Sequence, residues 1–155
     1  MDYETRAADQ DHEALRLWLR LLTCSKLIEG EVRRSLHAEF ECTLPRFDLL
    51  AQLDREPEGL SMGTLSRRMM VTGGNVTGIA DQLEKDGFLA RSPAPEDRRQ
   101  ILIQLTAKGR REFARMAHAH EGWIIALFAG ISDTQRRHLY DLLGELKSSM
   151  LEKAG

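Results

Sequence analysis

The charged run Glu96-Asp97-Arg98-Arg99 follows two prolines and precedes an aliphatic segment, which is where a hairpin tip is expected. An arginine at such a tip can enter the minor groove of DNA, where the negative potential is strongest in narrow A·T-rich stretches. Asp97 would face phosphates, so its useful role is to hold Arg99 through a carboxylate–guanidinium pair. Arg98 is placed to contact a phosphate. The alternative interpretation is a solvated charged turn.

A segment of small and polar residues, 72–82, precedes this hairpin and has the apolar spacing of a helix with one exposed face. Thr72 can cap that helix, and the two glycines after it expose backbone N–H groups at a positive helix end, where a phosphate can bind. Asn75 and Thr77 can reach base edges, and asparagine pairs most naturally with adenine. The glycines form no nucleotide-binding loop, because no Gly-Lys-Ser/Thr follows them.

A shorter helix comes just before, with Ser61 as its N-cap and an apolar pair at helical spacing. Arg67 and Arg68 lie on it and are predicted to contact the DNA backbone, which positions a protein without specifying a base sequence. A solvated face is the alternative for either arginine. The charge distribution favours the DNA interpretation. Residues 1–60 carry 8 Lys and Arg against 13 Asp and Glu, whereas residues 61–111 carry 9 against 5, a net charge of +4.

These residues need particular elements to position them. Two strands, 88–91 and 101–105, follow the pair of short helices, which gives helix, turn, helix and a two-stranded wing. A long helix over 11–38 carries two adjacent apolar stripes, which indicates contact with its own domain and with a second copy of the chain. Further helix starts are predicted from a proline in the first turn and from capping residues, at Pro45, Thr106 and Ser132. The predicted fold class is mainly α (α+β), a winged helix-turn-helix with long N- and C-terminal helices.

Several function classes are disfavoured by the composition. The 155 residues predict one domain, and no apolar run approaches the roughly 20 residues of a membrane span. The acidic, polar N-terminus is no signal peptide, so the expected location is the cytoplasm. No catalytic set or cofactor fingerprint occurs, and the five histidines lack metal-ligand spacing. We therefore expect no enzyme activity, no cofactor and no metal site.

The chain resembles the MarR family of bacterial transcription regulators. The matching segments are LSMGTLSRRMMVTGGNVTGIADQLEKDGFLAR, then DRR at the hairpin tip, then ILIQLTAKG. The resemblance implies a single domain over 1–155, with a winged helix-turn-helix over 44–105 and dimerisation helices over 11–39 and 106–155. It also implies a homodimeric repressor that binds a pseudo-palindromic operator in double-stranded DNA and is released by a small ligand.

One departure from the family pattern concerns the recognition helix. Gly78 stands where many members carry a basic residue, so base recognition would rely on Asn75, Thr77 and Gln82. The variant VTGGNVTG resembles the branch that responds to hydroxycinnamates, related aromatic acids or their CoA thioesters. The predicted DNA-binding residues are Ser61, Arg67, Thr72, Gly73, Gly74, Asn75, Thr77, Gln82, Asp97, Arg98 and Arg99.

The effector cavity implied by the family lies between the dimer helices and the winged region, and its wall should mix aromatic and polar side chains. The candidates for this wall are Trp18, Ser25, His37, Phe40, Arg46 and Phe47. A redox-sensing regulator of the same fold, switching through Cys24 or Cys42, is the alternative. Cys24 lies on an apolar stripe, so we predict a small buried residue there rather than a reactive thiol. A protein–protein module that reuses the fold without DNA is a third possibility.

Overall fold

The computed structural model describes residues 12–69 and 75–155. The elements in chain order are α1 (Glu13–Phe40), α2 (Leu44–Asp54), β1 (Leu60–Ser61), α3 (Met62–Arg68), α4 (Val76–Lys85), β2 (Leu89–Pro93), β3 (Ile101–Leu105), α5 (Ala107–Phe128) and α6 (Asp133–Lys153). This mainly helical architecture with a small antiparallel sheet confirms the predicted fold class. The chain divides into two compact units, the first ending at His120 and the second covering Glu121–Gly155.

Most helix starts lie where the sequence predicts them. Pro45 occupies the first turn of α2, behind the N-cap Thr43. The Ser61 hydroxyl accepts from the backbone N–H of Thr64 at the start of α3. Ser132 and Gln135 form the predicted capping box of α6.

The predicted start of the recognition helix is wrong. Its N-cap is Asn75 rather than Thr72, and α4 begins at Val76. An asparagine side chain is as good an N-cap as a threonine, and here its oxygen reaches the N–H of Gly78, so the helix starts three residues later than expected. Thr72, Gly73 and Gly74 lie outside the described residues, and so does the phosphate site predicted on the two glycines.

The end of α4 follows the glycine signal in the sequence. Gly87 has φ +84°, a left-handed conformation that only glycine adopts without strain. The Phe88 N–H donates to the Leu83 carbonyl at 2.9 Å and the Gly87 N–H to the Glu84 carbonyl at 3.0 Å. This pair of bonds is a Schellman motif, which satisfies carbonyls left free at a helix end. It sends the chain directly from the recognition helix into the wing.

The wing is part of a three-stranded antiparallel sheet with the order β1-β3-β2. Leu89 lies opposite Leu105 and Pro93 opposite Ile101, so β2 and β3 form a regular hairpin. The two-residue strand β1 was not predicted, because so short a segment carries no alternation to detect. Ile103 and Leu105 are buried on the predicted apolar face, while Ile101, next to the wing tip, is 46% exposed.

The core of the first unit joins the C-terminal part of α1 to α2, α3, α4 and the sheet. It is built mainly from leucines, and the largest fully buried side chains are Leu36, Leu49, Leu50, Leu53, Leu65, Leu83 and Ile103. These residues come from every one of those elements except β2 and β1. Leu65 and Leu83 tie the two helices of the helix-turn-helix to this core, which fixes the recognition helix against the wing.

The N-terminal half of α1 leaves large apolar side chains exposed, among them Leu15 at 45%, Leu17 at 61% and Trp18 at 53%. Cys24 on the same half is also exposed. The prediction that Cys24 is buried is therefore wrong for the single chain, because its apolar stripe has no covering partner among the described residues.

The second unit contains the end of α5 and all of α6. Arg136 closes the turn between the two helices by donating to the carbonyls of Phe128 and Ile131 and by pairing with Asp133. No residue of α6 is buried. Its exposed apolar residues follow helical spacing and include Leu139, Leu142, Leu143, Leu146 and Met150. Within residues 12–69 and 75–155, no helix is long and apolar enough to cross a membrane.

Candidate nucleic-acid interface

The recognition helix turns its apolar side into the core and leaves its predicted base-contacting residues at the surface. Ala80 and Leu83 are buried, whereas Thr77 and Gln82 are exposed. Five positions separate Thr77 from Gln82, so their side chains point about 140° apart around the helix axis. The two therefore flank the outward face of α4, and Gly78 lies between them.

Asn75 is committed to the helix itself. Its side-chain oxygen accepts from the Gly78 N–H at 3.0 Å. The bidentate contact of an asparagine with adenine uses both the amide oxygen and the amide nitrogen. Because the oxygen is engaged in capping, Asn75 meets a partner outside the chain mainly as a hydrogen-bond donor. The glycine at 78 permits this arrangement, since a Cβ there would lie 2.8 Å from Nδ2 of Asn75.

The predicted residues of α3 differ in how much of their side chain is engaged within the chain. Ser61 is occupied as the N-cap. Arg68 forms an ion pair with Glu56 at 2.8 Å. Arg67 is exposed and donates to the neutral Thr64 hydroxyl, at 3.1 Å, and no acid pairs with it in the described part of the chain. Of the two arginines on α3, Arg67 is therefore better able than Arg68 to contact a phosphate.

The wing tip has the geometry expected from its sequence. It is closed by a hydrogen bond from the Ala94 N–H to the Gln100 carbonyl, at 2.8 Å. The Asp97 carboxylate accepts the backbone N–H of Arg99 at 3.1 Å and lies 3.4 Å from the Nε atom of the same residue. The Arg99 side chain is nevertheless 95% exposed. Arg98 is also exposed and forms no ion pair within the described residues.

One residue of this region, Arg91 on β2, was not predicted from the sequence. Its guanidinium lies 2.6 Å from Asp81 and 3.7 Å from Glu84, both on α4. These contacts tie the wing to the recognition helix, and the single positive charge of Arg91 offsets one of the two negative charges on that side of α4. The available signal was two acids three positions apart on a helix, followed within ten positions by an arginine in the next strand.

The six predicted effector-contacting residues do not come together within one chain. Trp18 and His37 lie on the same helix, 19 positions and therefore about 28 Å apart along its axis. Ser25 donates to the Leu21 carbonyl, and Arg46 pairs with Asp86.

Phe40 and Phe47 lie near the junction of α1, α2 and α5. The Phe40 ring has the Arg115 guanidinium 5.6 Å from its centre. Phe47 is buried against the rings of Phe113 and His120, at 5.5 and 5.0 Å between centres. Phe47 is thus a core residue in this chain, and burial lowers the pKa of His120.

The two cysteines differ in environment. Cys42 is buried, and burial raises the pKa of its thiol despite the opposing influence of Arg46. A raised pKa lowers the thiolate fraction, and the thiolate is the reactive form. Cys42 is therefore poorly suited to sensing oxidants, which leaves exposed Cys24 as the better of the two redox candidates.

Comparison with known proteins identifies the family. The profile of the MarR family matches residues 42–101. The transcriptional repressor YetL of Bacillus subtilis is 31% identical over 140 residues, which cover 90% of this chain and 83% of YetL. The transcriptional activatory protein BadR of Rhodopseudomonas palustris is 32% identical over 149 residues, covering 91% and 85%. The chain belongs to the MarR family.

The structural comparison agrees with this assignment. The crystal structure of a MarR family transcriptional regulator from Silicibacter pomeroyi has a TM-score of 0.77 and 34% identity, and the match covers 92% of this chain and 99% of that one. MarR proteins are transcription regulators and not enzymes. This MarR-family chain is accordingly a DNA-binding regulator, and the polar surface of α4 and the wing tip is its candidate DNA interface.

Proposed function

We propose that this chain is a ligand-responsive repressor that binds, as a homodimer, a pseudo-palindromic DNA operator through α4 and the wing. The observation that carries the proposal is the wing tip, where the exposed Arg99 is held by Asp97 beside the exposed Arg98. A held arginine loses less conformational freedom when it enters a minor groove. On the same fold, Sco3205 of Streptomyces coelicolor was solved in complex with DNA, at 21% identity and a TM-score of 0.73.

A second copy of the chain is the proposed partner of the exposed apolar residues. Exposed apolar side chains recur at helical spacing along α6, and exposed leucines occur on α1; a soluble monomer rarely leaves a large apolar patch uncovered. An obligate interface should bury more than about 2,000 Å². In a dimer, two recognition helices about 34 Å apart would enter successive major grooves.

Dimerisation can be tested with two acidic substitutions on the same helix. Leu146→Glu introduces a charge into the apolar row of α6 and should shift the sedimenting species to a monomer at micromolar concentration. Ser148→Glu adds the same side chain about 200° away around the helix and should leave the dimer intact. A wild-type monomer at that concentration would exclude the dimer.

The proposed effector is an aromatic carboxylate or its CoA thioester. The segment VTGGNVTG resembles the hydroxycinnamate-responsive branch, and a fold neighbour, CouR of Rhodococcus jostii RHA1, was solved with p-coumaroyl-CoA at 24% identity and a TM-score of 0.70. An effector releases the repressor from DNA only if it binds the conformation that cannot bind DNA more tightly than the conformation that can. Because Trp18 and His37 are far apart in one chain, we propose that a site using both would need the second copy.

The function is tested by selecting duplexes from a random pool with the full chain. We expect enrichment of an inverted repeat whose half-sites are centred about one helical turn apart. p-Coumaroyl-CoA should then weaken binding of the enriched duplex at least tenfold, about 1.4 kcal/mol of coupling, and free p-coumarate should act less strongly. Enrichment of no common sequence would contradict the DNA-binding proposal. A response to peroxide but to no aromatic compound would favour the redox alternative.

A further inference from the structure

Asp86, the C-cap of the recognition helix, is held from two other elements. The Arg46 guanidinium of α2 lies 2.5 Å from its carboxylate. The Lys108 ammonium of α5 donates to its backbone carbonyl at 2.9 Å. Arg46 and Asp86 are 40 positions apart in the chain, so this ion pair joins the helix before the helix-turn-helix to the far end of the recognition helix.

Each member of the ion pair occupies a helix end that disfavours its charge. Asp86 adds a negative charge to the C-terminal end of α4, and Arg46 adds a positive charge to the first turn of α2. The helix dipoles oppose both placements. The Nε atom of Arg46 is also buried and has no hydrogen-bond partner among the described residues. The contact between the Arg46 Nη2 atom and the Asp86 carboxylate opposes the two dipole costs.

The arginine of this pair is the least exposed arginine among the ion pairs of the described residues, while the Asp86 side chain is 47% exposed. The Arg46 side chain is 22% exposed, against 76% for Arg34 in its ion pair with Glu31 on α1. Screening by water and salt is correspondingly weaker for Arg46. Because the Arg46–Asp86 pair joins two elements, it can restrain the end of α4, whereas the Arg34–Glu31 pair lies within a single helix.

We infer that Arg46 is a positioning residue for the recognition helix, an inference that rests on the DNA-binding function proposed above. Helix α4 is about 15 Å long, so a tilt of about 10° at its C-terminal end moves its N-terminal end by about 2.6 Å. A displacement of that size breaks hydrogen bonds to base edges. Contacts to phosphates through the wing and α3 tolerate it better, because they depend mainly on charge. Arg46 thus supports sequence recognition more than overall affinity for DNA.

The test compares the duplex enriched by the wild-type chain with a scrambled duplex of the same length and composition. Asp86→Asn removes a negative charge and on charge alone would strengthen binding to both. We expect instead that Asp86→Asn and Arg46→Met each lower the ratio of the two affinities at least fivefold. The double variant should lower it no further than the worse single variant, and Arg46→Lys should restore part of it. Arg34→Met is the matched control and should leave the ratio unchanged.

Two outcomes would overturn the inference. One is that Asp86→Asn keeps the wild-type ratio of affinities for the enriched and scrambled duplexes. The other is that Arg34→Met lowers this ratio as much as Arg46→Met does. If the wild-type chain itself does not distinguish the duplexes, the proposed function fails instead. Amide hydrogen exchange of the free protein then decides separately whether Arg46 holds the helix end. Exchange at residues 83–88 should be faster in Arg46→Met than in Arg34→Met, and equal rates would contradict the positioning role.

Discussion

At the wing tip, one carboxylate oxygen of Asp97 contacts both the backbone N–H and the side chain of Arg99. Oδ1 of Asp97 accepts the Arg99 backbone N–H at 3.1 Å and lies 3.4 Å from the Arg99 Nε atom. One acid therefore orients both the main chain and the side chain of an arginine that otherwise faces solvent. This relationship explains why a negative charge is retained on a surface proposed to face phosphates.

The contact between Asp97 and Arg99 predicts that removing a negative charge from the wing weakens DNA binding, the opposite of what net charge alone would give. Arg99→Ala should weaken operator binding by about 1–3 kcal/mol and lower the salt slope by about one. Asp97→Ala removes a negative charge, yet it should also weaken binding because Arg99 loses its restraint. Both effects are measurable by fluorescence anisotropy over a range of salt concentrations. Tighter binding by Asp97→Ala would show that the carboxylate only repels DNA.

Because Asn75 caps α4 through its side-chain oxygen, substitutions at this position should affect protein stability and DNA recognition separately. Asn75→Ala should lower stability by about 1 kcal/mol, because the Gly78 N–H loses its acceptor. Asn75→Asp keeps the acceptor and should remain close to wild-type stability, but it loses the amide donor and should weaken operator binding. Thermal melts and operator titrations of the two variants measure these effects. Equal melting temperatures for all three proteins would argue against a capping role.

Gly109 marks a close approach between α5 and the end of the recognition helix. A Cβ at this position would overlap the Phe88 carbonyl, which also accepts the N–H of Thr106. Gly109→Ala should therefore destabilise the protein by about 2 kcal/mol or more. At Gly122 on the same helix, a Cβ would meet no packing neighbour within 4 Å among the described residues, so Gly122→Ala should be neutral or stabilising by up to about 1 kcal/mol. Chemical denaturation of both variants tests the contrast, and a similar loss in both would contradict it.

Asp48 on α2 predicts a pH dependence of stability. Burial raises the pKa of its carboxyl, and the negative charge of Glu29 on α1 raises it further. The folded state therefore holds this proton more tightly than the unfolded chain does. The resulting stability is present at acidic pH and is lost as the pH rises from the ordinary carboxyl value through the raised folded pKa.

Asp48→Asn should accordingly stabilise the protein at pH 7 by about 0.5 kcal/mol, or roughly 1–2 °C in melting temperature. The gain should disappear as the pH falls below the ordinary carboxyl range. Glu29→Gln should give a smaller gain, and the double variant less than the sum of the two. A gain that persists unchanged at low pH would mean that burial of this charge is not its cause.

Much of the fold was predictable because the signals are local. The caps at Ser61 and Ser132, the proline in the first turn of α2 and the glycine after α4 each act within a few residues. The start of α4 was not predicted correctly, because several cap-forming residues occur in succession before Val76 and their spacing alone does not rank them. Strand β1 was missed because two residues pair only in the presence of β3.

The candidate site was less predictable than the fold, because its organisation depends on contacts distant in sequence. The Asp97–Arg99 pair spans two positions and was predicted. Arg91 reaches α4 over 7 to 10 positions and was missed. Arg46 was predicted to contact an effector, whereas its partner within the chain is 40 positions away. The packing of the folded chain decides which cation pairs with which acid, and neither composition nor local spacing reveals these partners.

The most direct test of the proposed DNA interface is a hydroxyl-radical footprint on the enriched duplex, which reports protection in the minor groove. The wild-type chain should protect two symmetric outer segments, where the wings of a dimer would insert, in addition to the half-sites. Arg99→Ala should lose the protection of the outer segments while retaining part of that at the half-sites. A wild-type footprint without outer protection, or an Arg99→Ala footprint identical to the wild type, would contradict the account.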